Sequence, residues 1–118
     1  MKEYNPGLHF IGDIEAVEVG AMYDAQGCKK LIDALITKHD LNKVGEVYHS
    51  FENAGFTAAI CLTESHISVH TWPEYGRVTF DVFLSNYENN NDGKGENIFN
   101  EISAYFAAVT VAKNILRR

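Results

Sequence analysis

Two serines, two histidines and a glutamate fall within the single run Glu64-Ser65-His66-Ile67-Ser68-Val69-His70, which continues as Thr71-Trp72-Pro73-Glu74. The spacers are β-branched residues that favour a strand. Such a strand should be half-buried, and buried polar side chains cost free energy unless they are paired or used. Ser65, His66, Ser68 and His70 together therefore point to chemistry more than to packing. Hydroxyls beside imidazoles, which titrate near neutral pH, are suited to acid–base work.

Alternation along this strand puts His66, Ser68, His70 and Trp72 on one face and Ile67, Val69 and Thr71 on the other. Pro73-Glu74-Tyr75-Gly76 reads as a turn into a further strand. If that turn pairs Trp72 with Arg77, His70 faces Thr79, Ser68 faces Asp81 and Glu64 faces Ser85. One sheet face then carries Ser68, His70, Thr79 and Asp81, with Ser85 beside the Glu64–Ser65 bond. Thr57 and Cys61 can point the same way from the preceding strand. Antiparallel sheets often leave one face to solvent, but Trp72 and Phe83 on this one suit a pocket or an interface better.

The elements that must hold this face follow from periodicity. Leu8, Phe10, Ile14 and Ala16 alternate as a strand, imperfectly at Ile11 and Gly12. Cys28, Leu31, Ile32, Leu35 and Ile36 keep helical spacing over 24–38. Strands are expected at 43–51, 56–63, 66–72 and 77–84, with turns at Asn53-Ala54-Gly55 and 73–76. The stretch 89–95 is a flexible connector. Phe99, Ile102, Phe106, Val109 and Leu116 stripe a final helix over 96–116. The expected fold is α+β: a two-layer sandwich of an antiparallel sheet with helices on one face, in the order βαββββα.

The chain has 118 residues, so 1–118 reads as one domain with a modest core. A shallow core favours building a site at an oligomer interface. A net charge of −6 speaks against nucleic acid and is compatible with a cationic substrate. The two cysteines, Cys28 and Cys61, form no Cys-x-x-Cys or Cys/His metal spacing, so no metal is expected and reduced thiols are the default. Residues 1–7 lack an apolar signal core, and no apolar run is long enough to span a bilayer. No membrane association and a cytoplasmic location are the expectation.

The run from Leu62 to Glu74, followed by Asp81-Val82-Phe83, resembles the small prokaryotic S-adenosylmethionine decarboxylases, most closely over 57–85. The resemblance implies a helix–sheet–sheet–helix homodimer with active sites between the sheets, drawing on both chains. It implies self-cleavage between residues 64 and 65. Ser65 would attack the Glu64 carbonyl in an N-to-O acyl shift, and His70 would remove the Cα proton in the β-elimination that follows. Thr57 aligns with a family serine that assists the shift. The cofactor would be a pyruvoyl group derived from Ser65, which takes up the substrate amine as a Schiff base and accepts the electrons released with CO2. Phe51 would stack on adenine, and Glu74 would bind the ribose hydroxyls.

Two departures from the family pattern stand out. Ser85 occupies the place of the family's general-acid cysteine, and a hydroxyl is a far weaker acid than a thiol of pKa about 8.5. Slow turnover of S-adenosylmethionine is therefore expected. Cys61, four residues before Ser65, would lie about 13 Å away along an extended strand, too far to replace that thiol. The chain also stops at Arg118 without the strand that family members carry after the last helix. The leading expectation is a pyruvoyl-dependent decarboxylase supplying decarboxylated S-adenosylmethionine for spermidine synthesis. The alternatives are an ornithine or arginine decarboxylase on the same scaffold, and an unprocessed, non-catalytic homologue.

Overall fold

Burial alternates along four of the strands, 8–15, 56–62, 66–72 and 77–84, of the computed structural model, which describes residues 3–118. Met1 and Lys2, the head of the 1–7 segment, lie outside the described residues. The order is β1 (Leu8–Glu15), α1 (Ala25–Lys38), β2 (Lys43–Ser50), β3 (Phe56–Leu62), β4 (His66–Trp72), β5 (Arg77–Leu84), α2 (Asp92–Tyr105) and β6 (Thr110–Arg117), with short 3-10 turns at Gly20–Tyr23 and Pro73–Tyr75. The strands form one antiparallel sheet in the order β2-β3-β4-β5-β1-β6. The α+β sandwich is as expected, with one strand more.

That strand corrects the end of the expected order. The final helix stops at Tyr105 rather than running on to residue 116, and the chain returns as β6 along the outer edge of β1. Ala107 takes a left-handed backbone at φ 51°, which no helix tolerates. The β-branched Val109-Thr110-Val111 then favours extension. Val109 and Leu116 fell on the helical stripe only by coincidence of spacing, and both are exposed. The strand that the resemblance implies after the last helix, expected to be missing here, is therefore present within the chain.

Both helices cover the same sheet face. Cys28, Ile32, Leu35 and Ile36 of α1 and Ile98, Phe99, Ile102 and Phe106 of α2 pack on the inward residues Phe10, Ile60, Ile67, Val69, Phe80 and Val82. Asp24 caps α1, accepting from the Gly27 N–H at 2.9 Å. Gly12 explains the imperfect alternation of β1. It points inward opposite Phe80, and a Cβ there would lie 2.7 Å from both the Phe80 and Phe99 rings, which pack 4.8 Å apart. Ile11, next to it, points to the other face. Gly76 closes the β4–β5 turn at φ 60°, the left-handed conformation that glycine adopts without penalty. Thr71, the one polar residue on the inner face of β4, is buried but satisfied: it accepts from the Phe56 N–H at 2.8 Å and donates to the Met22 carbonyl at 2.7 Å.

Candidate active site

The β4–β5 register is the one the turn implied: Trp72 pairs with Arg77, His70 with Thr79, Ser68 with Asp81 and His66 with Phe83. The helix-free face therefore carries the polar residues of β4 and β5 together, flanked by Thr57 and Cys61 of β3 and His9 and Asp13 of β1. Among the described residues no secondary-structure element covers this face.

Around the Glu64–Ser65 bond the chain makes a two-residue hairpin. The Leu62 N–H donates to the Ser65 carbonyl at 2.9 Å, with Thr63 and Glu64 at the tip. The Ser65 hydroxyl oxygen accepts from the Ser85 N–H at 2.9 Å. Ser85 is held in turn: its carbonyl accepts from Asn91 Nδ2 at 2.8 Å, and Asn86 Oδ1 accepts from the Asn91 N–H at 2.7 Å. Glu64, Phe83 and Ser85 line a cavity of about 310 Å³ with Tyr4 and Tyr87. The hairpin also corrects the distance reading for Cys61. The chain reverses at Thr63-Glu64, so Cys61 lies directly across the ladder from His66, one residue from Ser65, and is exposed. Cys28, by contrast, is buried in the core, and burial followed by the nearby Asp24 charge pushes its thiol up to about 12.

The other candidate residues gather at the far end of the same face. Thr57 Oγ1 and His70 Nδ1 share a hydrogen bond between directly paired positions of β3 and β4. Phe51, Thr57, His70, Trp72 and Glu74 border a common cavity of about 350 Å³. Phe51 is half exposed and meets the His49 ring edge-on at 4.7 Å, which fits an open stacking surface and not a core position. Glu74 is an exposed carboxylate in the turn.

Ser65 and His70 are five residues apart on extended β4, a separation of about 16 Å. One chain thus presents two groups of candidate residues on one face: Ser65, Glu64 and Ser85 at one end, and Thr57, His70, Phe51 and Glu74 at the other. The reading of His70 as within reach of the Ser65 Cα is not met inside a single chain. Between the two ends Asp81 accepts from Ser68, from His9 Nε2 at 2.6 Å and from His66 Nε2 at 3.2 Å. Burial pushes its carboxyl up, but these hydrogen bonds outweigh burial and hold it below the usual carboxylate range. His9 and the Asn86–Asn91 pair had no local signal in the sequence.

The S-adenosylmethionine decarboxylase family profile matches residues 8–118. The chain belongs to the S-adenosylmethionine decarboxylase family. Members of this family are pyruvoyl-dependent carboxy-lyases made as proenzymes. The chain is similar to the S-adenosylmethionine decarboxylase proenzyme of Archaeoglobus fulgidus, 36% identical over 77 residues, covering 65% of this chain and 69% of that protein. It is also similar to the proenzymes of Aquifex aeolicus, 35% identical over 77 residues and covering 65% of this chain and 57% of the relative, and of Picrophilus torridus, 33% over 86 residues and covering 73% and 66%. The aligned stretch thus spans about two thirds of the archaeal relatives and little more than half of the Aquifex one. The crystal structure of the adenosylmethionine decarboxylase from Aquifex aeolicus superposes with a TM-score of 0.84 at 25% identity, covering 98% of this chain and 92% of that one. Among the described residues no helix is long and apolar enough to cross a membrane.

Proposed function

We propose that this chain is a self-processing decarboxylase of S-adenosylmethionine, cut between Glu64 and Ser65, whose half-sites are completed across a two-fold homodimer. The observation that carries the reading is the Ser65 hydroxyl, fixed by the Ser85 N–H at the base of a hairpin whose exposed tip ends in Glu64, so that the Glu64–Ser65 peptide bond lies beside it.

An N–H donated to Oγ stabilises the alkoxide as it forms and leaves the hydroxyl proton free to depart. Oγ attacks the Glu64 carbonyl, the hydroxyl proton passes to the nitrogen of residue 65 as the C–N bond breaks, and the ester that results frees the amine of residue 65. The base for the Cα proton is His70 of the other chain. With its Nδ1–H donated to Thr57 Oγ1, the imidazole keeps Nε2 as the free lone pair. Thr57 then acts by setting the tautomer. Elimination releases Glu64 as a carboxylate, and hydrolysis with loss of ammonia leaves the new amino-terminal carbonyl.

The residues fit the pyruvoyl group of the family. Ser65 retains the hydroxyl from which it is made, and Phe83 and Ser85 border the place where it would stand. When present, this group supplies an electron-accepting carbonyl for loss of CO2. Phe51 offers a ring face for adenine, and Glu74 carboxylate oxygens for vicinal hydroxyls and a counter-charge for the sulfonium. Ser85 stands where a proton must return to the substrate carbon, and its weak acidity sets a slow turnover.

Two chains related by a two-fold axis bring the Ser65 end of one to the His70 end of the other, twice per dimer. The exposed Ile11, Phe51, Trp72 and Leu116 on or beside this face support such a contact. Intact mass under denaturing conditions tests the function directly. Wild type should give two chains, the shorter one, which begins at residue 65, blocked by a carbonyl, and Ser65→Ala one uncut chain. A wild type that stays whole after long incubation supports the non-catalytic reading instead.

A further inference from the structure

His9, His66 and Asp81 come from three different strands, β1, β4 and β5, and converge on the helix-free face. We propose that these three side chains form a binding site for a borderline transition-metal cation, of which Zn2+ and Co2+ are the type. The inference goes beyond the decarboxylase reading and does not depend on it.

The geometry is that of a three-ligand cup. One oxygen, Asp81 Oδ2, lies 2.6 Å from His9 Nε2 and 3.2 Å from His66 Nε2, and the three donor atoms all fall within 4.8 Å of one another. A tetrahedral ion with bonds of 2.0–2.1 Å spaces its ligand atoms about 3.3 Å apart, so side-chain shifts of about an ångström seat it. Two imidazoles and one carboxylate favour Zn2+, Co2+ or Ni2+ over Mg2+ and Ca2+, which take oxygen ligands. Three protein ligands leave a fourth position for water.

The surroundings hold this arrangement in place. Ser68 donates to Oδ1 of the same carboxylate, turning Oδ2 toward the histidines, as an outer-shell partner does. The Phe83 ring packs 5.6 Å from His9 and 5.8 Å from His66 and fixes both imidazole planes. Side-chain exposure in the single chain rises from 9% at His9 through 22% at Asp81 to 45% at His66, so the cup opens on the His66 side. Only His66 belongs to the conspicuous run. His9 is 72 residues from Asp81, so no spacing rule reveals the set.

One group opposes the ion. Arg118 Nη1 lies 3.4 Å from His9 Nδ1, and its guanidinium sits over the Phe83 ring. As a donor to Nδ1 it keeps the His9 proton on Nε2, the atom the metal needs, and it adds a positive charge nearby. Removing Arg118 should therefore tighten metal binding, an effect that a cluster existing only for hydrogen bonding would not produce.

The test is titration of the whole chain with Co2+, read by its visible ligand-field absorption, with Zn2+ competition by calorimetry. The Ser65→Ala chain is titrated alongside, so the result is independent of cleavage. One Co2+ per chain is expected. Asp81→Asn and His9→Gln should lose at least about 100-fold in affinity and Ser68→Ala about 10–100-fold, while Arg118→Ala should gain. Should Asp81→Asn or His9→Gln fail to fold by circular dichroism, Ser68→Ala and Arg118→Ala decide, since both lie outside the core. Cys61→Ser should leave the affinity unchanged. No saturable uptake by wild type, equal affinity in the ligand variants, or loss of binding in Cys61→Ser each overturns the proposal.

Discussion

If the half-sites of one chain lie about 16 Å apart, lesions in the two halves should complement each other between chains. Consider Ser65→Ala and His70→Ala produced separately and together. Each alone lacks one half of every site, so neither should be processed normally. In a mixed dimer the two lesions fall into the same site, and the second site is untouched: it joins Ser65 of the His70→Ala chain to His70 of the Ser65→Ala chain. With equal expression and random pairing, about half of the dimers are mixed and one site in each works, so about a quarter of all chains should be cut. Every cut chain should carry the His70→Ala substitution, and about half of that population should be consumed. Intact mass separates the two chains, because the variants differ in mass, and it reads the cut fraction directly. Native mass on the same sample counts the mixed dimers. No cleavage despite abundant mixed dimers would show that Ser65 and its base act within one chain, and cleavage of the Ser65→Ala chain would remove Ser65 as the nucleophile. Normal processing of His70→Ala by itself would take the histidine out of the reaction.

Restoring the family thiol with Ser85→Cys should raise CO2 release from S-adenosylmethionine by about a hundredfold while leaving cleavage unchanged; no gain, with ornithine or arginine turned over faster in parallel assays, would move the substrate to those amino acids. Thr71→Val strands the Phe56 N–H and the Met22 carbonyl in the core, at about 1–3 kcal/mol for each unpaired group. Thermal melting should fall by several degrees, and an unchanged midpoint would contradict the pairing. Asp81 is expected to govern acid stability. Burial raises its carboxyl, but hydrogen bonds from Ser68, His9 and His66 lower it further, so its folded pKa lies below the unfolded value of about 3.9. The ionised group therefore stabilises fully above about pH 4, and this contribution is lost as pH falls through the folded pKa. Urea midpoints of Asp81→Asn should vary less than those of wild type over that acid range; parallel curves would mean that the carboxylate carries no such linkage.

What the sequence disclosed and what it hid divide along physical lines. The faces and register of β4 and β5 were legible because a sharp period of two meets a Pro–Gly turn, and that register alone put Ser85 beside the Glu64–Ser65 bond. β6 was hidden because its strand character comes from pairing with β1, about a hundred residues earlier, a contact no local window contains. Val109 and Leu116 completed a helical stripe that tertiary pairing overrode. Cys61 lies nearer to Ser65 than an extended chain would put it for a related reason: a hairpin reverses the chain at Thr63-Glu64. The separation of the half-sites was implicit all along. Five residues on a strand place Ser65 and His70 far apart whatever the register, so a base at His70 requires a second chain. Alternation then adds the rest of the reasoning. His70 and Trp72 share the face that no helix covers among the described residues, so a second chain that brought His70 to Ser65 would approach sheet to sheet, with the His9–His66–Asp81 cluster lying between the two ends.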